Sequence, residues 1–280
     1  MDVRSQRPLA VCNSHTSFLP RTPRVDVFSN FDFSGETSVE REGYVVGCML
    51  RHILLKFATY IEKHFGQTSD HNICVTYAMK KDLLENWNIR ATVLYDRPPT
   101  IFHPINLEEK HTWYMKISEQ YPVFQNHTRD NLNLQPENNV IVERTTFTQL
   151  INGTVKYRND RPGLLFSSTS WTQDEDFSIL LEALQIYEND YAKKKLPKLI
   201  CVITGKGPMK QHYEKIIDSR QWQHVKVVTP WLHANDYPTM VASADLGVCL
   251  HISSSGLDLP MKIVDMFGAG LPVCAYGFQW

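Results

Sequence analysis

From residue 164 onward, short apolar runs recur at intervals filled by helical segments, and this alternation constrains the fold more than any other feature. The runs are LLFSS from Leu164, LICVIT from Leu199, VKVVT from Val225, LGVCL from Leu246 and LPVCAY from Leu271. Each is too short for a helix and largely apolar, as a strand covered on both faces must be. Strands joined by helix-length crossovers pair in parallel, so the region reads as an α/β domain around a parallel sheet. The first crossover sets Phe177, Leu180, Leu181 and Leu184 at helical spacing, with Thr172 and Glu175 in capping-box positions ahead of it. The second repeats the spacing with Met209, Tyr213, Ile216 and Ile217. The fourth carries Leu259, Ile263, Met266 and Phe267, with Pro260 in its first turn and Gly268 and Gly270 at its end. The third, over 234–242, is shorter and less regular.

Ahead of residue 163 the pattern is sparser. Residues 44–65 read as an amphipathic helix; Arg51, His52 and Lys56 interrupt it, whereas a membrane span needs roughly 20 apolar residues. Residues 72–76 read as a strand, 78–86 as a helix and 91–95 as a strand, after which Pro98, Pro99 and Pro104 stop regular structure. Polar residues dominate from about 118 to 161, including NHTRDNLNLQPENN, until Pro162 and Gly163 open the next unit. The chain thus divides into a disordered leader at 1–43, a β-α-β at 44–105, a linker and polar loop at 106–162, and the parallel domain at 163–280.

Composition matters mainly for what it excludes. With 29 Lys plus Arg against 30 Asp plus Glu, the chain has no overall charge that would recruit nucleic acid, so any anion site must be local. The six cysteines form no CxxC pair. Cys201, Cys249 and Cys274 lie within the apolar runs and read as buried, reduced thiols. No His, Cys and carboxylate cluster has metal-ligand spacing, and no cofactor motif is present.

In a parallel sheet, ligands bind beyond the carboxyl ends of the strands, where helix amino termini point free N–H groups. Three loops are selected. After LICVIT, Gly205-Lys206-Gly207-Pro208 offers two residues without side chains and a cation between them, suited to a diphosphate or simply to a tight turn. It is no P-loop, and Lys210 stands where a dinucleotide fingerprint needs its third glycine. After LGVCL, a hydroxyl-rich loop with Ser255 and Gly256 leads through Asp258, Pro260 and Met261 to Lys262, placed for phosphate, and Asp265, placed for ribose hydroxyls. The alternative is that Asp258 caps the helix while Lys262 and Asp265 are solvated charges. After LLFSS come Ser168, Thr169, Ser170 and Trp171, then the acids Asp174, Glu175 and Asp176, whose default role is helix capping. His251 reads as structural.

SSTSWTQDEDFSILLEAL, CVITGKGP, TPWLHANDYP and SADLGVCLHISSSGLDLPMKIVDMFGAGLPVCA together closely resemble the chitobiosyldiphosphodolichol β-mannosyltransferases of the endoplasmic reticulum. A looser likeness covers EKHFG, CVTYAMKKDLLENW and VLYDRPP. The resemblance implies a GT-B architecture: a nearly complete C-terminal Rossmann-like donor domain at 163–280 and a truncated N-terminal acceptor domain. It implies metal-independent, inverting transfer of mannose from GDP-mannose to dolichol-diphosphate-linked chitobiose, on the cytosolic face of the endoplasmic reticulum membrane. Other mannosyltransferases of the pathway are implied as partners. Gly205, Lys206 and Gly207 become the loop facing the diphosphate, and Ser168, Thr169 and Trp171 the first donor-facing loop. Ser255, Gly256, Asp258, Pro260, Met261 and Lys262 lie under sugar and phosphates, with Asp265 at the ribose.

Compared with that family, SVEREGYVVGCMLRH matches poorly, no membrane anchor or glycine-rich acceptor loop is visible, and the chain ends at Trp280 before the closing helices. The catalytic base is expected in the missing N-terminal region. Three functions follow: the mannosyltransferase, a partial product that binds GDP-mannose without turnover, and, more distantly, an NAD-dependent oxidoreductase.

Overall fold

All five apolar runs become strands of one parallel sheet. The computed structural model describes residues 10–11, 53–54, 56–125, 143–172, 174–251, 257 and 260–277. Strands β7 (Gly163–Ser168), β8 (Leu199–Thr204), β9 (Val225–Val228), β10 (Leu246–Cys249) and β11 (Val273–Ala275) lie in the order β11-β10-β7-β8-β9, every pair parallel. The crossovers are α4 (Ser178–Lys194), α5 (Lys210–Ser219), α6 (Tyr237–Ser243) and α7 (Met261–Gly268). Counted in chain order across the sheet, the strands run 3-2-1-4-5, the doubly wound arrangement.

Strand β8 shows why a continuous apolar run is needed. Ile200 and Val202 join one core with Phe166, Met240 of α6 and Met266 of α7, while Leu199, Cys201 and Ile203 join the opposite core with Leu181, Leu184 and Tyr213. The short third crossover forms α6, whose Met240 and Val241 are fully buried. At the sheet edge the expectation of buried thiols fails once. Cys201 and Cys249 are buried but Cys274, on edge strand β11, is exposed.

The chain forms two units, Met1–Asp96 with Ser253–Leu259 and Phe278–Trp280, and Arg97–Ile252 with Pro260–Gly277. The boundary therefore falls before residues 106–162, and that stretch is not a linker where it is described. Helix α3 (Leu107–Ser118) starts with a capping box in which Asn106 and Glu109 each accept the other's backbone N–H at 2.8 Å. Its Trp113, Tyr114 and Ile117 pack with Phe124, Phe147 and Leu164 in the second unit's core. Strands β4 (Glu143–Arg144), β5 (Thr148–Ile151) and β6 (Thr154–Tyr157) form an antiparallel meander. Asn152 and Gly153 both take positive φ, 51° and 74°, as the tight hairpin between β5 and β6 requires. The tract at 126–142 lies outside the described residues.

In the first unit, β1 (Ala10–Val11), β2 (Asn72–Cys74) and β3 (Thr92–Val93) form a parallel sheet. Ala10 and Val11 thus form a strand within the stretch read as leader, the rest of which lies outside the described residues. Helix α1 (56–68) and α2 (Tyr77–Trp87) accompany it, α2 capped by Thr76, whose hydroxyl accepts the Met79 N–H at 3.0 Å. No described helix is long and apolar enough to cross a membrane.

Candidate functional site

Strands β7 and β10 are neighbours in the sheet and their crossovers leave on opposite faces, so the loops beyond them stand where a doubly wound sheet binds its ligands. The groups that meet there come from both loops. Thr169, at the end of β7, donates its hydroxyl to the Glu175 carboxylate, and the Ser170 N–H donates to the same oxygen at 3.0 Å. The other carboxylate oxygen receives the Lys262 ammonium from the first turn of α7. His251 after β10 makes a backbone bridge with Glu175, and its Nδ1 lies 3.1 Å from Asp174.

Glu175 is therefore no helix cap. Helix α4 begins at Ser178 with Phe177 as its unassisted cap, and Glu175 sits 1% exposed in the cluster just described. Asp176 stays closer to its expected role, accepting the Ser178 N–H at 2.9 Å and the Tyr213 hydroxyl at 3.3 Å. These contacts hold the Asp176 carboxyl below its ordinary range, the Ser178 hydrogen bond foremost.

Trp171 also departs from the sequence expectation. Its ring is fully buried, stacked obliquely on Phe177 with centroids 4.9 Å apart and on Tyr213 at 5.7 Å. It is a core side chain, and its positive φ of 49° is what turns it inward while leaving its backbone on the loop. The Thr169 hydroxyl accepts the Trp171 N–H at 2.8 Å, and the Trp171 carbonyl accepts the Met209 N–H at 2.9 Å. Ser168 accepts the Tyr237 hydroxyl at 3.0 Å. Burial pushes that phenol up to about 12, so it remains a donor.

The glycines of Gly205-Lys206-Gly207 have a structural duty that the sequence alone conceals. A Cβ on Gly205 would lie 1.7 Å from the Thr169 carbonyl oxygen, and one on Gly207 1.6 Å from that of Ser170. Close backbone approach is thus made to the neighbouring loop of the chain itself. Lys206 is exposed and sets its ammonium 3.9 Å from the Trp231 ring centroid, a cation–π contact that leaves the charge at the surface.

On α7, Pro260 precedes the helix, Met261 is exposed, and Lys262 is partly buried against Glu175, so the solvated reading of Lys262 does not hold. Asp265 is half-buried, and loss of water pushes its carboxyl up to about 6. Ser255, Gly256 and Asp258 lie outside the described residues. Among the described residues no group of three or more His, Cys, Asp or Glu side chains could hold a metal ion. The structure thus brings together Thr169, Ser170 and Lys262 and adds Glu175, Asp174, His251 and Tyr237, which the sequence did not assign to a site. Only the placement of Glu175 in a capping pattern marked it at all.

No family model matches the chain. Over 232 residues it is 50% identical to a Mus musculus protein named chitobiosyldiphosphodolichol beta-mannosyltransferase, covering 82% of this chain and 47% of that one. An Arabidopsis thaliana protein named UDP-glycosyltransferase TURAN is 43% identical over 244 residues, covering 81% and 52%. A shorter Homo sapiens protein, named as a glycosyltransferase, is 39% identical over 191 residues, covering 68% of this chain and 80% of its own length. The chain spans about half the length of the longer relatives it matches.

Proposed function

This chain belongs to the family of the chitobiosyldiphosphodolichol β-mannosyltransferases, and from that premise we propose that its five-stranded unit is the donor-binding domain of a GT-B-type glycosyltransferase. The donor is GDP-mannose and the acceptor dolichol-diphosphate-linked chitobiose, at the cytosolic face of the endoplasmic reticulum membrane. The observation that carries the reading is the convergence of the Thr169 hydroxyl, the Ser170 N–H and the Lys262 ammonium at the point where a 3-2-1-4-5 sheet reverses. Thr169 and Ser170 give their protons to Glu175, while Lys262, with further N–H donors, is a cation of the kind a diphosphate takes, at the place where such a sheet binds nucleotides. Lys206 sits on the adjacent loop.

Making a β-linked mannose from an α-linked donor requires in-line attack by the acceptor hydroxyl while GDP departs. Lys262 and Lys206 would offset the charge that develops on the departing diphosphate. Asp265, on the next turn after Lys262, is the group we assign to the ribose hydroxyls. A second reading, donor binding without turnover, is favoured by the state of the nearby acids. Asp174 is engaged by His251, Glu175 by Thr169, Ser170 and Lys262, and Asp176 by Ser178.

Titrating the purified chain with GDP and UDP, then assaying radiolabelled mannose transfer to a lipid-linked chitobiose, tests both readings. UDP is included because of the name carried by the plant relative. We expect saturable GDP binding in preference to UDP. Absence of GDP binding would defeat the donor-domain assignment, and product formation would defeat the second reading.

A further inference from the structure

The mechanism above leaves the buried Glu175 carboxylate without a task. We propose that Glu175 is a positioning residue for the diphosphate, holding Lys262 and the Thr169-Ser170 turn in the arrangement that the ligand meets; this rests on the donor-site reading. Its two oxygens divide the work: Oε2 takes the Thr169 hydroxyl and the Ser170 N–H, and Oε1 takes the Lys262 ammonium. One carboxylate thereby ties the loop after β7 to the start of α7, 87 residues further along the chain.

Burial decides which partner leads. The Glu175 side chain is 1% exposed and that of Lys262 27%. A carboxylate so deep is stable only while its cation stays, because an unpaired buried charge is strongly unfavourable. Lys262 is therefore held at one N–H, on a side chain that is 27% exposed and has two further donors. A lysine has a long, flexible stem, and fixing it in advance spares the ligand the cost of ordering it. Repulsion between Glu175 and an anionic ligand is the opposing effect. It is reduced because the carboxylate already receives an ammonium, a hydroxyl and an amide N–H.

A double-mutant cycle distinguishes positioning from plain structural support. GDP affinity is measured by calorimetry for the parent chain, Glu175→Gln, Lys262→Ala and the double variant, with thermal unfolding recorded for each. Gln keeps the shape and can still accept from Thr169 and Ser170, but it does not hold an ammonium firmly. We expect Glu175→Gln to weaken GDP on the order of ten-fold when Lys262 is present, and by no more than about two-fold when it is Ala. Equal losses in both backgrounds would reduce Glu175 to a support for the loop, and tighter binding in Glu175→Gln would make it a competitor of the ligand. Both overturn the proposal. Glu175→Asp, which retains the charge one methylene short, serves if the Gln variant does not fold. It should weaken GDP several-fold, and unchanged affinity would overturn the proposal. A parent chain that binds no GDP defeats the donor-site reading itself. GDP binding indifferent to Lys262→Ala leaves that reading standing and removes Glu175 from it.

Discussion

The loops after β7 and β8 lie against each other at the same end of the sheet, yet they keep their shapes by opposite means. The β8 loop is shaped by absence: Gly205 and Gly207 bring their Cα atoms against the carbonyls of Thr169 and Ser170, where any side chain would collide. The β7 loop is shaped by saturation, with Glu175 gathering a hydroxyl, an amide and an ammonium, while Trp171 anchors the segment in the core. A loop held by steric fit tolerates no added atom. A loop held by polar contacts can exchange partners, which suits the face that receives an anion.

The largest effect should come from breaking the steric side. Gly205→Ala adds a methyl 1.7 Å from a backbone oxygen at φ 148°, so loop or strand must move. We expect a loss of at least about 4 kcal/mol in urea unfolding, at the upper end of single-residue effects. Gly153→Ala is the control: its φ is also positive, at 74°, but nothing lies within 4 Å. It should cost only about 1 kcal/mol. Equal losses would show that backbone strain alone, and not loop contact, explains the glycine.

Next comes the anchor of the other loop. Trp171→Phe removes packing area and also an indole N–H that is buried without a partner among the described residues. The second change offsets part of the first, so the loss should be about 1.5 kcal/mol. GDP affinity should not change, whereas a donor-facing indole would make it fall.

Helix α7, which the β7 loop meets through Lys262, carries a smaller and pH-dependent effect. Because burial raises the Asp265 carboxyl to about 6, the folded chain binds more protons than the unfolded one between about pH 4 and 6. This group therefore lowers stability as pH rises through that window, and the loss is complete above it. Asp265→Asn should stabilise the chain at pH 7 by about 1 kcal/mol, a figure discounted for the half-exposed carboxyl, and do nothing at pH 3.5. Denaturation at the two pH values checks both the sign and the window.

The smallest expected effect on stability is at Lys206. Its cation–π contact with Trp231 is exposed, so Lys206→Ala should cost no more than about 0.5 kcal/mol in thermal unfolding. GDP affinity should nevertheless fall several-fold, which would separate ligand binding from support on the β8 loop.

The parallel sheet, its five strands and most of its helices were legible in the amino-acid order, because burial on one face or two is written in local periodicity. The same order also held two signals that a reading by polarity passed over: the capping box at Asn106 and Glu109, and Asn152-Gly153 between alternating strands. Both lie in the stretch that average polarity marks as linker, yet each is a short-range rule that polar neighbours do not cancel. Which groups meet beyond β7 and β10 was not legible there and follows from the packing of distant elements. Thr172 and Glu175 satisfy a capping pattern locally, but a buried carboxylate gains more from an ammonium and two further donors than from one helix end. Lys262 reaches it only because β10 pairs with β7. Gly205 and Gly207 likewise advertise an open loop in sequence, and the loop after the adjacent strand fills that space with its own carbonyls. Periodicity records which side of an element is buried; it carries no record of which distant element does the burying, and at this site that second fact sets the chemistry.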